Sequence, residues 1–460
     1  SDFLVQLSKI FPKDRFTLLE EERLEYASDH TEDLVYLPHV VVFPEESSEV
    51  ASLMKLCSRF LVPVTTSGAL TGLSGGALPV KGGVALSTKR MNKILDLDIK
   101  NGQITVQPGV IVEEMQKAVE EHGLYYAPDP ASRGTCTIGG NLAENSGGPR
   151  AVKYGVTKDW VLDMEVVLSS GEIIQTGAKT LKNSTGYSLT QLMVGSEGTL
   201  GVITKSTHKL IAKPKLNHLM LFPFRKLEEA GEAVSKIFNF GVNPSAVELM
   251  EKDAILLSQN FTGDYSLGLD HDVQALLLVE VDGNIVEELQ RSTELMMEAI
   301  EGYDIGEILF ADDAAQKDKL WFLRRRVGEA VKAESTYKEE DTVVPRFELP
   351  KLLAKVKSLG KEFGFRSICY GHAGDGNLHI NILKDDLSNE QWNEMLPEAI
   401  TQLFREVVKL GGTISGEHGI GWVQKDFMPI RFSTNELSLM KGIKDVFDPN
   451  GILNPKKVLP

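Results

Sequence analysis

Three stretches of this 460-residue chain are so rich in glycine and so irregular in pattern that neither helix nor strand periodicity can run through them. The first is Ser67-Gly68-Ala69-Leu70-Thr71-Gly72-Leu73-Ser74-Gly75-Gly76. The second runs from Pro128-Asp129-Pro130 through Thr137-Ile138-Gly139-Gly140-Asn141 to Asn145-Ser146-Gly147-Gly148. The third is Gly195-Ser196-Glu197-Gly198-Thr199-Leu200-Gly201-Val202-Ile203-Thr204. Glycine accepts positive φ and lets a ligand approach the backbone closely, so such a loop can turn several N–H groups toward one anion. A single loop of this kind is as readily a tight surface connection, but three of them can wrap one long ligand. None ends in Gly-Lys-Ser/Thr, and no GxGxxG opens a helix after the first strand, which removes support for a Walker-type ATP site and a dinucleotide site of the Rossmann kind.

The segments around these loops mix helix and strand closely. A β-branched run, His39 to Phe43, is followed by Ser47 and Ser48 as helix caps and by Val50, Leu53, Met54 and Cys57 at helical spacing. Val62 to Val64 leads into the first glycine loop, and Val84 to Leu86 resumes strand character. Val112, Met115 and Val119 mark a helix closed by Gly123, and a Ser169-Ser170-Gly171 turn joins a hairpin. Near Lys213-Pro214-Lys215 the style changes to longer alternating segments. Helices near Leu227 to Phe238, Val286 to Ile300, Leu349 to Phe363 and Trp392 to Leu410 alternate with strands at Ala275 to Val281, Arg366 to Tyr370 and His379 to Leu383. This predicts an antiparallel sheet with helices on one face. A chain of this length divides into two or three domains.

Only nine histidines occur, yet three fall in two short glycine-bordered segments, Gly371-His372-Ala373-Gly374-Asp375-Gly376-Asn377-Leu378-His379 and Ser415-Gly416-Glu417-His418-Gly419. Neutral imidazoles and a carboxylate suit a borderline divalent ion, and His372, His379 and Glu417 make the three protein ligands of a catalytic site with an open position. For any one of them alone, a hydrogen-bonded structural histidine or a solvated glutamate is the commoner reading. The spacing is not that of HExxH or a related signature. Arg324, Arg325 and Arg326 follow Trp321, with Lys338 beyond. An arginine run is most often a solvated helix face, but an arginine fork also suits a substrate carboxylate.

With these loops and the Gly-His and Glu-His segments, the chain resembles, over nearly its whole length, the flavoproteins with the FAD-binding fold of vanillyl-alcohol oxidase and p-cresol methylhydroxylase, in their D-lactate, glycolate and D-2-hydroxyglutarate dehydrogenase branch. The resemblance implies an α+β fold: a p-cresol methylhydroxylase-type (PCMH-type) FAD-binding domain over residues 1–212, a substrate or cap domain of antiparallel sheet and helices carrying the metal site over 213–420, and a C-terminal segment, 421–460, returning to the FAD domain. The active site is expected where the two domains meet. By the same likeness FAD touches Gly68, Thr71, Gly72, Ser74 and Gly75, then Pro128, Thr137, Gly140, Asn141, Asn145 and Gly148, then Val202 and Ile203, and finally Asn454 in the closing Asp448-Pro449-Asn450-Gly451-Ile452-Leu453-Asn454-Pro455 segment. Some relatives attach FAD through a histidine ending a Ser-Gly-Gly-His segment; this chain has Leu70 there, so the FAD is expected to be non-covalent. The branch usually carries Arg and Gly where Ser67 and Leu70 stand.

The likeness further implies a divalent metal on His372, His379 and Glu417, zinc first with manganese or iron as alternatives. It makes His418 the base that takes the proton of the substrate hydroxyl as hydride passes to flavin N5. Arg324, Lys338 and Asn381 are the carried-over substrate-binding residues, while a threonine of the hydroxyglutarate enzymes is replaced by Gly328. The expected reaction is oxidation of D-lactate, D-2-hydroxyglutarate or glycolate to the 2-oxo acid. The reduced flavin would be drained by a carrier such as electron-transfer flavoprotein, a quinone or a cytochrome. An oxygen-using oxidase and an ether-forming synthase of the alkyl-dihydroxyacetonephosphate type are the alternatives.

The formal charge of -16 opposes nucleic acid and anionic lipid as partners, and obliges an anionic substrate to find its own local cations. Cys57, Cys136 and Cys369 form no CxxC pair and are expected to be reduced and structural. No apolar run approaches the ~20 residues that cross a bilayer, and no signal-peptide pattern opens the chain, so a cytoplasmic location is expected. A homodimer is left open.

Overall fold

The structure, a computed structural model, describes residues 2–31, 34–311 and 313–460. The chain divides into two units: residues up to Gly147, Gly155–Lys213 and Glu417–Pro460 form the first, and Gly148–Tyr154 with Pro214–Gly416 form the second. The sequence reading changes domain after 212 and 420; the contacts change at Lys213 and Gly416 and also move one short stretch across. That stretch joins the second unit through charge: Arg150 lies 2.8 Å from Glu280, and the Tyr154 hydroxyl donates to Asp282 at 2.8 Å.

In the first unit, β-branched Val40–Val42 and Val84–Ser87 pair in parallel, with Val64–Ser67 parallel on the far side and Phe16–Thr17 antiparallel on the near one. The Val64–Ser67 strand begins the stretch expected to be loop. The helix Ser47–Phe60 lays Val50, Leu53, Met54 and Cys57 on this sheet together with Ile452 and Leu453 from the C-terminal tail. The start of this helix differs from the expected serine cap. Glu49 reaches back and accepts from the N–H groups of Glu45 at 2.7 Å and Glu46 at 3.2 Å, while the Ser47 hydroxyl is spent on Glu165. A five-stranded antiparallel sheet runs in the order Ile94–Asp98, Gln103–Val106, Val202–Lys209, Val161–Val167, Ile173–Gln175. The last pair is the hairpin read from Ser169-Ser170-Gly171, with Gly171 at φ +80. The C-terminal tail adds to the open side of Val64: the Val64 N–H donates to Ile452 and the Asn454 N–H donates back to Val64, each at 2.8 Å.

The second unit is one seven-stranded antiparallel sheet in the order Leu309–Ala311, Leu216–Phe224, Ala275–Gly283, Ala246–Glu251, Arg366–Gly371, Asn377–Leu383, Tyr337–Val343. Helices flank both of its faces, rather than one. Glu248 and Glu251 are an odd number of positions apart on one strand and so point to opposite faces. Glu248 meets Arg324 of the helix Ala314–Glu334, and Glu251 meets Lys357 of the helix Leu349–Phe363. The first face packs Leu219, Leu221, Met250, Leu276 and Leu278 against Leu320, Leu323 and Val327. The three cysteines are buried and free, and among the described residues no helix is long and apolar enough to cross a membrane.

Leu70 adopts φ +58 and is partly buried against Tyr26, Val41, Phe43 and Ala85. A Cβ in the left-handed region costs about 1 kcal/mol that glycine avoids. Leu70→Ala and Leu70→Gly both lose the packing, but only the second relieves the backbone. Leu70→Gly should therefore be the more stable of the two by about 1 kcal/mol in urea unfolding, the reverse of the usual loop order. The ordinary order, with alanine more stable, would show that the left-handed turn is not held.

Candidate functional site

Within the first unit the three glycine segments are tied to one another. A Cβ on Gly68 would lie 2.4 Å from Thr137 Oγ1, so only glycine permits the first loop to close on the second. Thr137 caps the helix Ile138–Glu144, its hydroxyl accepting the Gly140 N–H at 3.4 Å, and Asn145 ends that helix at φ +57. The N–H groups of Gly195 and Glu197 donate to Leu142 at 2.8 Å and Ala143 at 2.9 Å, which brings the third segment to the second. Asn454 joins the first and third: its Nδ2 donates to Gly76 at 2.8 Å and Glu197 at 2.7 Å. Its side chain is thus engaged on the loops themselves.

Of the other residues expected to meet FAD, Thr71, Gly72, Ser74 and Gly75 lie in the first loop, which Thr31 steadies by accepting the Gly75 N–H at 2.8 Å. The Pro128 carbonyl accepts from Gln116 at 2.9 Å, Asn141 is buried, and Val202 and Ile203 open a strand paired with Val167 and Val166. Gly148 begins the stretch that belongs to the second unit. The hydroxyls of Thr66, Ser67 and Ser74 are buried without a protein hydrogen-bond partner. Orphaned polar atoms beside a glycine cradle fit a bound polar ligand, and FAD satisfies that requirement.

A feature that the glycine pattern conceals is a buried charge cluster beside these loops. Lys457 Nζ donates to the carbonyls of Gly76 at 3.1 Å and Leu78 at 2.6 Å, and burial pulls its pKa down to about 8. Glu197 accepts the N–H groups of Ile420 and Gly421, each at 2.7 Å. Burial pushes its carboxyl up to about 7 against those bonds and the charge of Lys457. Glu144 is driven well above the carboxylate range by burial and then by the charges of Glu197 and Asp29.

In the second unit, the sheet register sorts the expected substrate and metal residues. Tyr370 stands opposite His379 and Ile368 opposite Asn381; on the other side Asp341 faces His379 and Glu339 faces Asn381. Directly paired residues share a face, so Tyr370, His379, Asn381, Glu339 and Asp341 project together, with His372 and Glu248 in the same alternation. The rings of His372 and His379 are 5.3 Å apart at 84°. The turn between them closes at Gly376, φ +82, where a Cβ would lie 1.8 Å from the Val344 carbonyl. Each imidazole has a carboxylate at Nδ1, Glu248 at 2.7 Å from His372 and Glu339 at 3.1 Å from His379.

Arg324 is buried, stacks 4.8 Å above the Tyr370 ring and is paired with Glu248 at 2.7 Å. The Asn381 amide donates to Ile368 at 3.2 Å, and Gly328 leaves room for the Tyr370 hydroxyl 3.3 Å from where its Cβ would be. Lys338 is not brought to this group: it pairs with Ile382, one residue out of phase with Asn381, and points to the opposite face beside Glu340 at 4.0 Å. Gly416 is held by the Asp341 side chain at 2.8 Å and by its carbonyl at 3.1 Å, so the strand that flanks His379 also fixes where the chain departs toward Glu417 and His418. Those two residues open the C-terminal part of the first unit. Sequence reasoning missed Glu248, Glu339 and Tyr370; the signal available was a period-two alternation putting carboxylates among apolar residues of buried strands.

Three interlocked glycine loops in one unit, and an antiparallel sheet carrying paired histidines in the other, define a flavin-binding oxidoreductase architecture. The solved structure of p-cresol methylhydroxylase with substrate bound superposes with a TM-score of 0.81 at 18% identity, covering 99% of this chain and 96% of that one, which establishes the fold. Residues 38–177 match the FAD binding domain, and residues 213–458 match the C-terminal domain of FAD linked oxidases. A D-lactate dehydrogenase of Anaerostipes hadrus is 38% identical, with 98% of both chains covered. The glycolate oxidase subunit GlcD of Bacillus subtilis (strain 168) is 36% identical over 99% of this chain and 96% of its own. The chain belongs to the FAD-linked oxidase family and is an FAD-linked oxidoreductase.

The raised Glu197 carboxyl has a measurable consequence for the apoprotein. Below its ordinary value of 4.5 both folded and unfolded states hold the proton; as pH rises toward about 7 only the unfolded state releases it, so stability is lost across that window. The loss from this group should be on the order of 3 kcal/mol. Glu197→Gln should flatten the slope of unfolding free energy between pH 4.5 and 7, as read by urea titration at each pH. An unchanged slope would assign the pH dependence to other groups.

Proposed function

We propose that this chain oxidises a small D-2-hydroxy acid, such as D-lactate, glycolate or D-2-hydroxyglutarate, to the 2-oxo acid and passes the electrons to a protein or quinone carrier. The observation that carries the reading is the single sheet face that gathers His372 and His379, each backed by a carboxylate, with Arg324, Tyr370 and Asn381. The named activities of the relatives from Anaerostipes hadrus and Bacillus subtilis support the same substrate class.

The donor set suits a divalent ion. At His372 the carboxylate of Glu248 on Nδ1 fixes the tautomer that offers Nε2 and raises its basicity, which is the usual support behind a ligating histidine. His372, His379 and Glu417 would hold the metal, zinc first. When bound, the ion would acidify a substrate hydroxyl, and FAD, held non-covalently by the glycine segments, would take up the hydride.

The protein's own residues do the rest. His418 takes the hydroxyl proton; Glu417, if it is a ligand, has its lone pairs committed and is the poorer base. Arg324, its charge partly balanced by Glu248, would offer its remaining N–H groups to the substrate carboxylate. Asn381 and Tyr370 orient the bound acid, and Lys338, on the other face, is left out of substrate binding.

The test is the anaerobic visible spectrum of the holoprotein before and after D-lactate, L-lactate, glycolate and D-2-hydroxyglutarate, with and without chelator. One acid should bleach the flavin band, and chelation should prevent it. His372→Ala should keep FAD yet abolish bleaching, and His418→Ala should slow it by ~10²–10⁴-fold. A flavin that no hydroxy acid bleaches would overturn the reading. Rapid stoichiometric hydrogen peroxide in air would replace the carrier with oxygen.

A further inference from the structure

Glu248 lies at the centre of the Ala246–Glu251 strand with no solvent exposure, and its two oxygens are assigned to two different functional groups. Oε1 accepts from His372 Nδ1 at 2.7 Å. Oε2 accepts from Arg324 Nε at 2.7 Å and lies 2.7 Å from its Nη2 in an ion pair. An ionised carboxylate has only acceptors, so the first bond requires the proton on Nδ1 of His372 and leaves Nε2 as the nitrogen with a lone pair. The second bond, with the ion pair at Nη2, lies beside the Tyr370 ring over which the guanidinium stacks at 4.8 Å.

The local sequence makes this arrangement possible because the strand alternates. Ala246, Glu248 and Met250 project to one face, where the apolar neighbours Leu276, Leu278 and Val327 exclude water. A carboxylate there has no solvent to fall back on, so its position is tied to the groups that pair with it, His372 and Arg324. If either partner shifts, the carboxylate follows and the other group moves with it.

We propose that Glu248 is a positioning residue that couples the metal-binding imidazole of His372 to the substrate-binding guanidinium of Arg324, so that one carboxylate aligns the metal site and the anion site together. The proposal rests on the metal and substrate reading above. Its specific claim is that disturbing Glu248 weakens metal binding and acid binding at once, although Glu248 touches neither ligand.

Zn²⁺ titration of chelator-stripped, FAD-loaded full-length protein measures the metal constant directly, without turnover. Wild type should bind one ion per chain. Glu248→Gln can accept through only one oxygen, so it should weaken Zn²⁺ binding by ~10–100-fold, the range found when a carboxylate behind a ligating histidine is removed. With saturating metal restored, KM for the hydroxy acid should remain raised while FAD content stays that of wild type. Glu248→Asp keeps the charge and should recover part of the metal affinity, which a merely space-filling role would not produce.

Because Glu248→Gln leaves Arg324 buried without its carboxylate, the paired variant Glu248→Gln with Arg324→Gln provides a neutral core in case the single variant does not fold. It should show the same loss of Zn²⁺ affinity. Wild-type metal affinity in a folded Glu248→Gln or paired variant would overturn the proposal while leaving the metal reading intact. Weakened metal binding with an unchanged KM in Glu248→Gln would overturn the coupling to Arg324. If stripped wild type binds no Zn²⁺ or Mn²⁺ at all, the metal reading and this proposal fall together.

Discussion

A carboxylate buried in a sheet must be matched by the groups packed against it, and the seven-stranded sheet of the second unit buries several. Glu248, Glu251, Glu280, Glu340 and Asp341 all lie beneath the surface. Moving an unpaired charge there would cost several kcal/mol, so each carboxylate prescribes neighbours. Glu248 demands His372 and Arg324, Glu251 takes Lys357 and the Cys369 N–H, and Glu280 takes the Trp321 indole and Arg150. Asp341 binds Asn377 and Gly416. These pairings hold the histidine turn, the arginine helix and the exit toward Glu417 in register, and the functional face follows from them.

The first unit meets a different constraint. Its three glycine segments make few side-chain contacts of their own, and their shape comes from backbone bonds to one another and from residues forced into the left-handed region. Asn145, Glu197 and Asn454 all adopt positive φ at the points where one segment meets the next. Strain of this kind persists only where surrounding structure over-determines it. Here the determinants are the bonds from Asn454 and Lys457 to Gly76 and from Glu197 to Ala143. The C-terminal tail therefore acts as a clasp on the glycine loops.

The two units place chemistry on opposite kinds of scaffold. The unit that matches the FAD binding domain carries loops whose N–H groups and buried hydroxyls can converge on a long anion, which glycine permits and a regular strand does not. The groups proposed to handle the acid sit on strands, where the pleat fixes each side chain to a face and spacing is reproducible to a fraction of a residue. The separation fits a reaction in which a generic redox cofactor meets a substrate that has to be aligned in one pose.

Much of this was legible in the residues. Period-two and helical alternation located three of the seven strands of the second unit and several of its helices, the Ser169-Ser170-Gly171 turn marked its hairpin, and the glycine segments marked the irregular loops of the first unit because positive φ and close backbone approach leave a compositional trace. The paired histidines were visible for the same reason, flanked by glycines such as Gly376 that a tight turn requires. What the residues did not disclose depended on partners distant along the chain. The assignment of Gly148–Tyr154 to the second unit rests on Arg150 finding Glu280, and the function of Glu248 rests on a histidine 124 positions away. By sequence Lys338 and Asn381 are equivalent candidates, yet a register offset of one residue puts them on opposite faces. Local sequence determined which segments could bend, pair or coil, because those preferences act over a few residues. Only the tertiary structure decided which charges met, because pairing a buried charge depends on strand register, and register is settled by the whole sheet at once.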